Sequence, residues 1–480
     1  MRPYLLALTL CTALAAQAAE KPADITASRQ TAASKQARAG EPEFRALYKE
    51  LVEINTTLSV GSCTKAAEAM KARLLKAGYA ESQMKVIAPA DRPQDGNLVA
   101  WLPGSNAKLK PVLLLAHIDV VEANRADWER DPFTLIEENG FFYARGSSDD
   151  KAMAAVFTDS MVRFKQEGFK PKRGIKLALT CGEESPNVFN GVKYLLEKHP
   201  DLLDAAFALN EGGGGRYDQE SGVYRYVAVL AAEKLYQDYT LTTTNPGGHS
   251  SRPMPDNAIY QLAHALDKIE AHSFPIEMSD VTRPYFAKFG VIEGKEKGAD
   301  MIAASRDDQA AIARLRKDPS ANAILHTNCV ATQINGGHAP NALPQRATAN
   351  VNCRIFPGHT QEEIRQALIK AVNDPGVKIE FQSPPENAGQ PPPLSKDVMG
   401  PIEALSADMY PGVAVIPTMS SGATDCRFLT PAGIHCYGVS GMLGDGATGN
   451  AHGLNERIRV QTLIEGREFL YRLTKAYAAK

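Results

Sequence analysis

The sequence predicts an α/β protein: a layered domain around a central, mostly parallel sheet, interrupted by an inserted α+β domain. Three observations carry this expectation. From residue 42 to about 233, short continuous apolar runs alternate with segments of helical periodicity, the pattern of strands buried on both faces and covered by helices. Near Glu233 the texture changes to strictly alternating apolar and polar residues, as in a sheet with one wet face. A stretch with five prolines, 383–393, then marks the way back to the first pattern. The split domain is therefore expected over 42–233 and 387–480, and the insert over 234–386.

Taken in order, residues 42–52 and 64–75 carry apolar side chains at helical spacing. Residues 112–116, bounded by Pro111 and His117, read as a fully buried strand. A helix over 152–164, a strand over 175–180, a helix over 192–197 and a strand over 205–209 complete the first run. In the insert, strands are expected over 236–244, 348–355 and 377–381, with amphipathic helices over 257–269 and 361–372. Residues between Asp280 and Ala323 add extra length to this insert. A helix over 460–477 closes the chain.

The first 18 residues place one basic residue, Arg2, before an apolar stretch and an Ala16-Gln17-Ala18 cleavage pattern, which reads as a secretory signal peptide. Residues 19–41 are poor in large apolar side chains and are expected to be a flexible leader. The mature chain is then expected in the periplasm or outside the cell. With the signal removed, six of the seven cysteines remain (Cys63, Cys181, Cys329, Cys353, Cys426 and Cys436), so one or two disulfides are expected, with pairing left open. No CxxC pair supports a thiolate zinc or redox site. The composition, 44% hydrophobic and 22% charged, is that of a globular protein. A net charge of −2 argues against a nucleic-acid binder, and no apolar run is long enough to span a bilayer.

Potential ligands fall repeatedly just after expected strands. His117 and Asp119 follow the first, Glu183 and Glu184 the next, and Glu211 the third. Sites in open α/β sheets form outside the carboxyl ends of strands, so these side chains can converge on one rim. Asp149 and Asp150 sit in a glycine-bearing loop before a helix, whose N-terminal field favours their ionised form. Acids repeated at three strand ends are costly to bury without a cation. Imidazole and carboxylate together suit zinc first, with manganese or cobalt as alternatives.

The chain resembles the M20 group of metallopeptidases, which includes aminoacylase-like, carboxypeptidase-like and dipeptidase members. The resemblance rests on eight segments in order: His117-Ile118-Asp119-Val120-Val121, Arg145 to Lys151, Gly182-Glu183-Glu184-Ser185, Asn210-Glu211-Gly212-Gly213, Gly247-Gly248-His249-Ser250-Ser251, Asn341-Ala342-Leu343-Pro344, Arg354 to Gly358, and Ala451 to Glu456. It implies two divalent metal ions per chain, bridged by Asp149, one completed by His117 and Glu211 and the other by Glu184 and His452. Asp119 would support His117, and Glu183 would be the general base. His249 would reach the site across a dimer interface to stabilise the oxyanion, making the insert both lid and dimerisation surface, and Asn341 and Arg354 would contact the substrate, the Arg holding its carboxylate.

Departures from the common pattern at Glu122, Ala144, Ala152 and Gly182 remove no ligand and bear on loop shape and substrate preference. The expected activity is metal-dependent hydrolysis of peptides or N-acyl amino acids next to a free carboxylate. The rivals are a deacylase or dipeptidase of the same fold, and a binding protein that has lost the chemistry, for which loss of Glu183 would be the sign. A serine hydrolase is disfavoured, because Ser420 and Ser421 before Gly422 do not form GxSxG.

Overall fold

The computed structural model describes residues 39–480 except 186, 219, 387–388 and 446–448. The expected signal peptide and all but the last residues of the leader lie outside the described residues. The first helix, Glu41–Glu53, buries Phe44, Leu47, Tyr48, Leu51 and Val52 along one stripe. The second spans Cys63–Lys76, one residue longer at each end than its apolar stripe, because the Ser62 side chain accepts the Lys65 N–H and caps the first turn.

The apolar runs assemble into one sheet in the spatial order Met84–Ile87, Asn97–Leu102, Ile175–Thr180, Val112–His117, Phe207–Asn210, His435–Gly438, Val223–Glu233, Ala414–Ser420, with Gly214–Asp218 beside Val223–Glu233. The four central strands from Ile175–Thr180 to His435–Gly438 run parallel. Antiparallel pairings flank them on both sides. Side chains alternate between two cores, as strand geometry requires. Leu114 and Ala116 face the larger core, with Met153 and Phe157 of the helix Lys151–Gln166 and Phe469 of the helix Val460–Ala478. Leu113 and Leu115 face the other, with Val192 and Leu195 of the helix Gly191–Lys198 and with Cys426 and Leu429.

The insert forms its own antiparallel sheet, ordered Asn328–Gly336, Arg346–Ile355, Leu235–Thr244, Lys378–Phe381. Two helices cover one face. Ala258–Ala271 is capped by Asn257, which accepts the Ile259 and Tyr260 N–H groups, and Gln361–Val372 starts with a Thr360–Glu363 capping box. Tyr239, Leu262, Val351 and Leu368 lie in the core between sheet and helices.

The extra length folds into four helices, Thr282–Glu293, Lys295–Ala304, Gln309–Leu315 and Pro319–Leu325, around a separate core of Phe286, Met301, Ile312 and Leu325. By sequence this cluster lies inside the insert, yet it packs on the outer strand Ala414–Ser420 of the central sheet. Lys288 Nζ donates to Val415 O at 3.0 Å, and the Phe289 ring meets Tyr226 edge-on at 5.3 Å. It covers an edge that would otherwise present unpaired backbone groups.

Three disulfides form, one more than the upper expectation: Cys63–Cys181, Cys329–Cys353 and Cys426–Cys436. Register decides the second, since Cys329 and Cys353 are direct partners on neighbouring antiparallel strands. Among the described residues no helix is long and apolar enough to cross a membrane.

Candidate active site

The strand Val112–His117 ends on His117, whose ring is buried. The next turn delivers Asp119, whose carboxylate accepts the backbone N–H groups of Glu183 at 3.3 Å and Glu184 at 3.0 Å. Its own carbonyl oxygen lies 3.1 Å from His117 Nδ1, while its carboxylate stands 3.6 Å away. Asp119 therefore meets His117 most closely through its main chain, and its carboxylate fixes the Glu183–Glu184 turn. That turn follows Ile175–Thr180 and is held at its start by the Cys63–Cys181 disulfide and by Asn97 Oδ1, which accepts the Cys181 N–H at 3.0 Å. Gly182 adopts φ +90°, where a side chain would be strained and its Cβ would strike Phe189 O.

Asp149 lies between two imidazoles. His117 Nε2 is 3.0 Å from Asp149 Oδ1, and His452 Nε2 is 3.2 Å from Asp149 Oδ2. His452 Nε2 also lies 2.9 Å from Glu184 Oε2, and His117 Nε2 lies 3.8 Å from Glu211 Oε2. One carboxylate thus separates two histidine and glutamate pairs, as a bridging ligand between two cations requires. Glu183 also enters the cluster: ligand atoms of His117, Glu183 and Glu211 lie within 4.8 Å of one another, as do those of His117, Asp149 and Glu184. A third grouping, Cys63, Asp119 and Cys181, offers no thiolates, because its sulfurs are bonded to each other.

Charge explains why this cluster suits cations. Burial pushes Glu183 up to about 10, helped by Glu211, Asp425 and Glu184 and opposed by His117. Burial likewise raises Glu184 to about 7. Burial pulls His117 down, but Glu211, Asp119 and Asp149 outweigh it and raise its pKa. The hydrogen bond to Asp149 leads in raising His452 to about 9. The carboxylates exceed the positive charge facing them, so protons or metal ions must compensate. The donor set, two imidazoles and several carboxylates, fits two ions of intermediate softness.

The expectation that Asp149 and Asp150 are both ionised is corrected. Burial opposes ionisation of Asp149, but its hydrogen bonds with His117 and His452 prevail and lower its pKa. Asp150 precedes the helix Lys151–Gln166 without making a capping bond, and burial, reinforced by Glu211, Asp149 and Glu183 against His117, drives its pKa well above the usual carboxylate range. Burial overrides the helix field there.

Sequence reasoning assigned no role to two acids that shape the site. Glu456 is fully buried and accepts four hydrogen bonds, from the backbone N–H of Gly146 (2.9 Å), Ser148 (2.8 Å) and Asp149 (3.0 Å) and from Arg145 Nη1 (2.8 Å). Arg145 Nη2 in turn donates to Gly453 O at 3.0 Å, so this pair ties the Asp149 loop to the His452 loop. Glu456 stood in the quoted segment beginning at Ala451. Asp425 accepts from Asn190 Nδ2 (2.6 Å) and Thr180 Oγ1 (3.2 Å), and burial raises it to about 6. No segment singled it out.

The remaining expected residues lie on the insert. His249 and Asn341 come together in a short ribbon, Gly248–His249 against Ala342–Leu343, where Asn341 O accepts the Ser250 N–H and Ser251 bonds His249 Nδ1. Both are exposed. Arg354 sits at the opposite end of the long strand pair, opposite Tyr236, over whose ring it stacks at 4.7 Å, and it donates to Ser421 O at 3.0 Å. The Leu235–Thr244 strand spans about 30 Å at about 3.3 Å per residue. Arg354 therefore abuts the central domain of its own chain, and His249 and Asn341 stand at the far end.

A parallel-centred α/β sheet with a histidine and carboxylate cluster at its strand ends, carrying an α+β insert, defines a metallohydrolase of the peptidase and amidohydrolase class. The chain belongs to peptidase family M20/M25/M40, which it matches over residues 113–476. It is 30% identical over 370 residues to the N-fatty-acyl-amino acid synthase/hydrolase PM20D1 of Xenopus tropicalis, covering 75% of this chain and 71% of that one. It is 29% identical over 400 residues to the probable carboxypeptidase S-like 2 of Dictyostelium discoideum, covering 79% and 74%. In fold it is similar to the M20 family metallo-carboxypeptidase Sso-CP2 of Sulfolobus solfataricus, with a TM-score of 0.67 at 19% identity, covering 91% and 99%.

Proposed function

We propose that this enzyme is exported and hydrolyses peptides or N-acyl amino acids at the amide bond next to a free carboxylate. The observation that carries the proposal is Asp149 held between His117 and His452, with Glu211 and Glu184 beside them. His117, Asp149 and Glu211 would hold one metal ion and Asp149, Glu184 and His452 the other, zinc in both by the donor set. Bound there, the two cations supply the positive charge that polarises the scissile carbonyl and acidifies a water.

Glu183 takes the proton of the attacking water and passes it to the leaving nitrogen, a role that its position among the ligands supports. Arg354 holds the substrate carboxylate with a planar, permanently charged group. His249 donates a hydrogen bond to the developing oxyanion, with Asn341 beside it. Both stand at the opposite end of the insert's strand pair from Arg354, a placement that supports a role in the site of a second copy. Exposed apolar residues of the insert, Val330 and Ile334 on the edge strand and Ile259 and Tyr260 on the adjoining helix, support a homodimer through the insert. The pairing of all six cysteines after the expected signal supports export to an oxidising compartment.

A panel of dipeptides and N-acyl amino acids with free and blocked carboxyl ends, assayed before chelation, after it and after metal return, tests the reading. Activity should need the free carboxylate and vanish reversibly on chelation. Equal turnover of blocked substrates, or activity indifferent to chelators, would refute it.

A further inference from the structure

Apart from the cluster around Asp149, one group of side chains has the composition of a metal site and is closed by a covalent bond. The sulfurs of Cys63 and Cys181 and a carboxylate oxygen of Asp119 lie within 4.8 Å of one another, and all three residues are buried. Neither of the other two disulfides stands in such a group among the described residues. The three residues come from separate parts of the fold. Cys63 opens the helix Cys63–Lys76, Asp119 follows the strand Val112–His117, and Cys181 leads into the Glu183–Glu184 turn. A cavity of about 20 Å³ adjoins them, lined by Thr56, Cys63, Asp119, Cys181 and Ser185, and it has room for one water. Thr56 Oγ1 is buried there without a hydrogen-bond partner among the described residues, so a water in this cavity would satisfy it.

Two thiolates, one carboxylate and one water form a four-coordinate donor set suited to zinc or a softer divalent ion. Around a tetrahedral ion with metal–sulfur bonds of about 2.3 Å the sulfurs stand about 3.8 Å apart, and the adjoining cavity gives them space to separate. The Asp119 carboxylate accepts the Glu183 and Glu184 N–H groups, and with about four acceptor positions it can add an ion without releasing either. From this arrangement we infer that the Cys63–Cys181 disulfide masks a metal site, opened by reduction and taking zinc or another thiophilic divalent ion. A dithiol supplies two electrons and two protons: it closes to its own disulfide, the Cys63–Cys181 bond breaks, and two thiols form. The incoming ion displaces both thiol protons to solvent and binds the thiolates. It then links the helix, Asp119 and the catalytic turn that the disulfide had linked, so the turn keeps an anchor in either redox state.

The test compares the zinc-saturated parent before and after reduction with a dithiol, desalted without air, with the double variant Cys63→Ser/Cys181→Ser treated alike. Elemental analysis should find one more zinc per chain in the reduced parent than in the oxidised parent, and no gain in the variant. Cadmium added to the reduced parent should produce cadmium–thiolate ultraviolet absorption, absent from the oxidised parent. Should the variant not fold, alkylation of the reduced parent followed by peptide mapping still decides, because zinc should shield Cys63 and Cys181 and leave the other four cysteines reactive. No additional zinc, an equal gain in the variant, or shielding of other cysteines instead would overturn the inference. Metal content is read without turnover, so failure here leaves the amide-hydrolase reading untouched, and inactivity of the enzyme leaves this site untouched.

Discussion

Replacing Glu456 by Gln should both unfold the protein more easily and loosen its metals. The carboxylate accepts two donors on each oxygen, Arg145 Nη1 and Gly146 N on one, Ser148 N and Asp149 N on the other. A carboxamide has one accepting oxygen, so whichever way it is turned, its NH2 faces two donors. Two charge-assisted bonds at about 1.5–3 kcal/mol each are then lost, for a cost of about 3–6 kcal/mol, which overlaps the cost of breaking a buried ion pair. The Asp149 and His452 loops lose their tie, and support of this kind typically changes metal affinity by about 10- to 100-fold. Guanidinium unfolding of the metal-free protein gives the first quantity, and calorimetric metal titration gives the second. A variant within about 1 kcal/mol of the parent that binds both metals equally well would refute the reasoning.

Glu183→Gln should lower kcat by about 10²- to 10⁴-fold while two metals per chain remain by elemental analysis; loss of one metal would make Glu183 a ligand instead. His249→Ala should lower kcat by about 10²- to 10³-fold without changing metal content. Co-refolded with Glu183→Gln, it should recover about a quarter of parental activity, because half the dimers are mixed and each mixed dimer has one complete site; no recovery would place His249 in its own chain's site. The metal-free protein should lose stability as pH rises. Glu184 at about 7, Glu183 at about 10 and His452 at about 9 are all raised above their ordinary values, so their contribution is full at low pH and fades as pH passes each of these values. Asp149, lowered, acts oppositely only in acid. Scanning calorimetry from pH 6 to 9 should show Tm falling by on the order of 5 °C without metal and far less with it; a rising Tm would contradict the electrostatics.

What could be read from the sequence follows from where information is local. Residues 112–116 declared a strand because burial on both faces demands an unbroken apolar run, and His117, Glu183, Glu184 and Glu211 were legible because ligands cluster where such runs stop. Ser62 and Thr360 mark helix starts by the side chains they carry. Other features depend on partners distant in sequence. Glu456 bonds Arg145 from 311 residues away. The different protonation of adjacent Asp149 and Asp150 depends on which one meets the imidazoles. The helices within 282–325 show their amphipathic faces in sequence but not which sheet they dock on.

The Cys63–Cys181 bond also bears on how the chain is made. Its two cysteines are 118 residues apart, and the second directly follows the strand Ile175–Thr180, which lies between Asn97–Leu102 and Val112–His117, two strands translated long before it. In the finished sheet the earlier strands do not pair with each other, and the later strand lies between them and pairs with both. Oxidation of this pair therefore records that the central strand has been inserted, and chain produced where thiols stay reduced would reach the same sheet without the tether on its Glu183–Glu184 turn. Trapping free thiols during refolding would time the assembly of the catalytic rim from within.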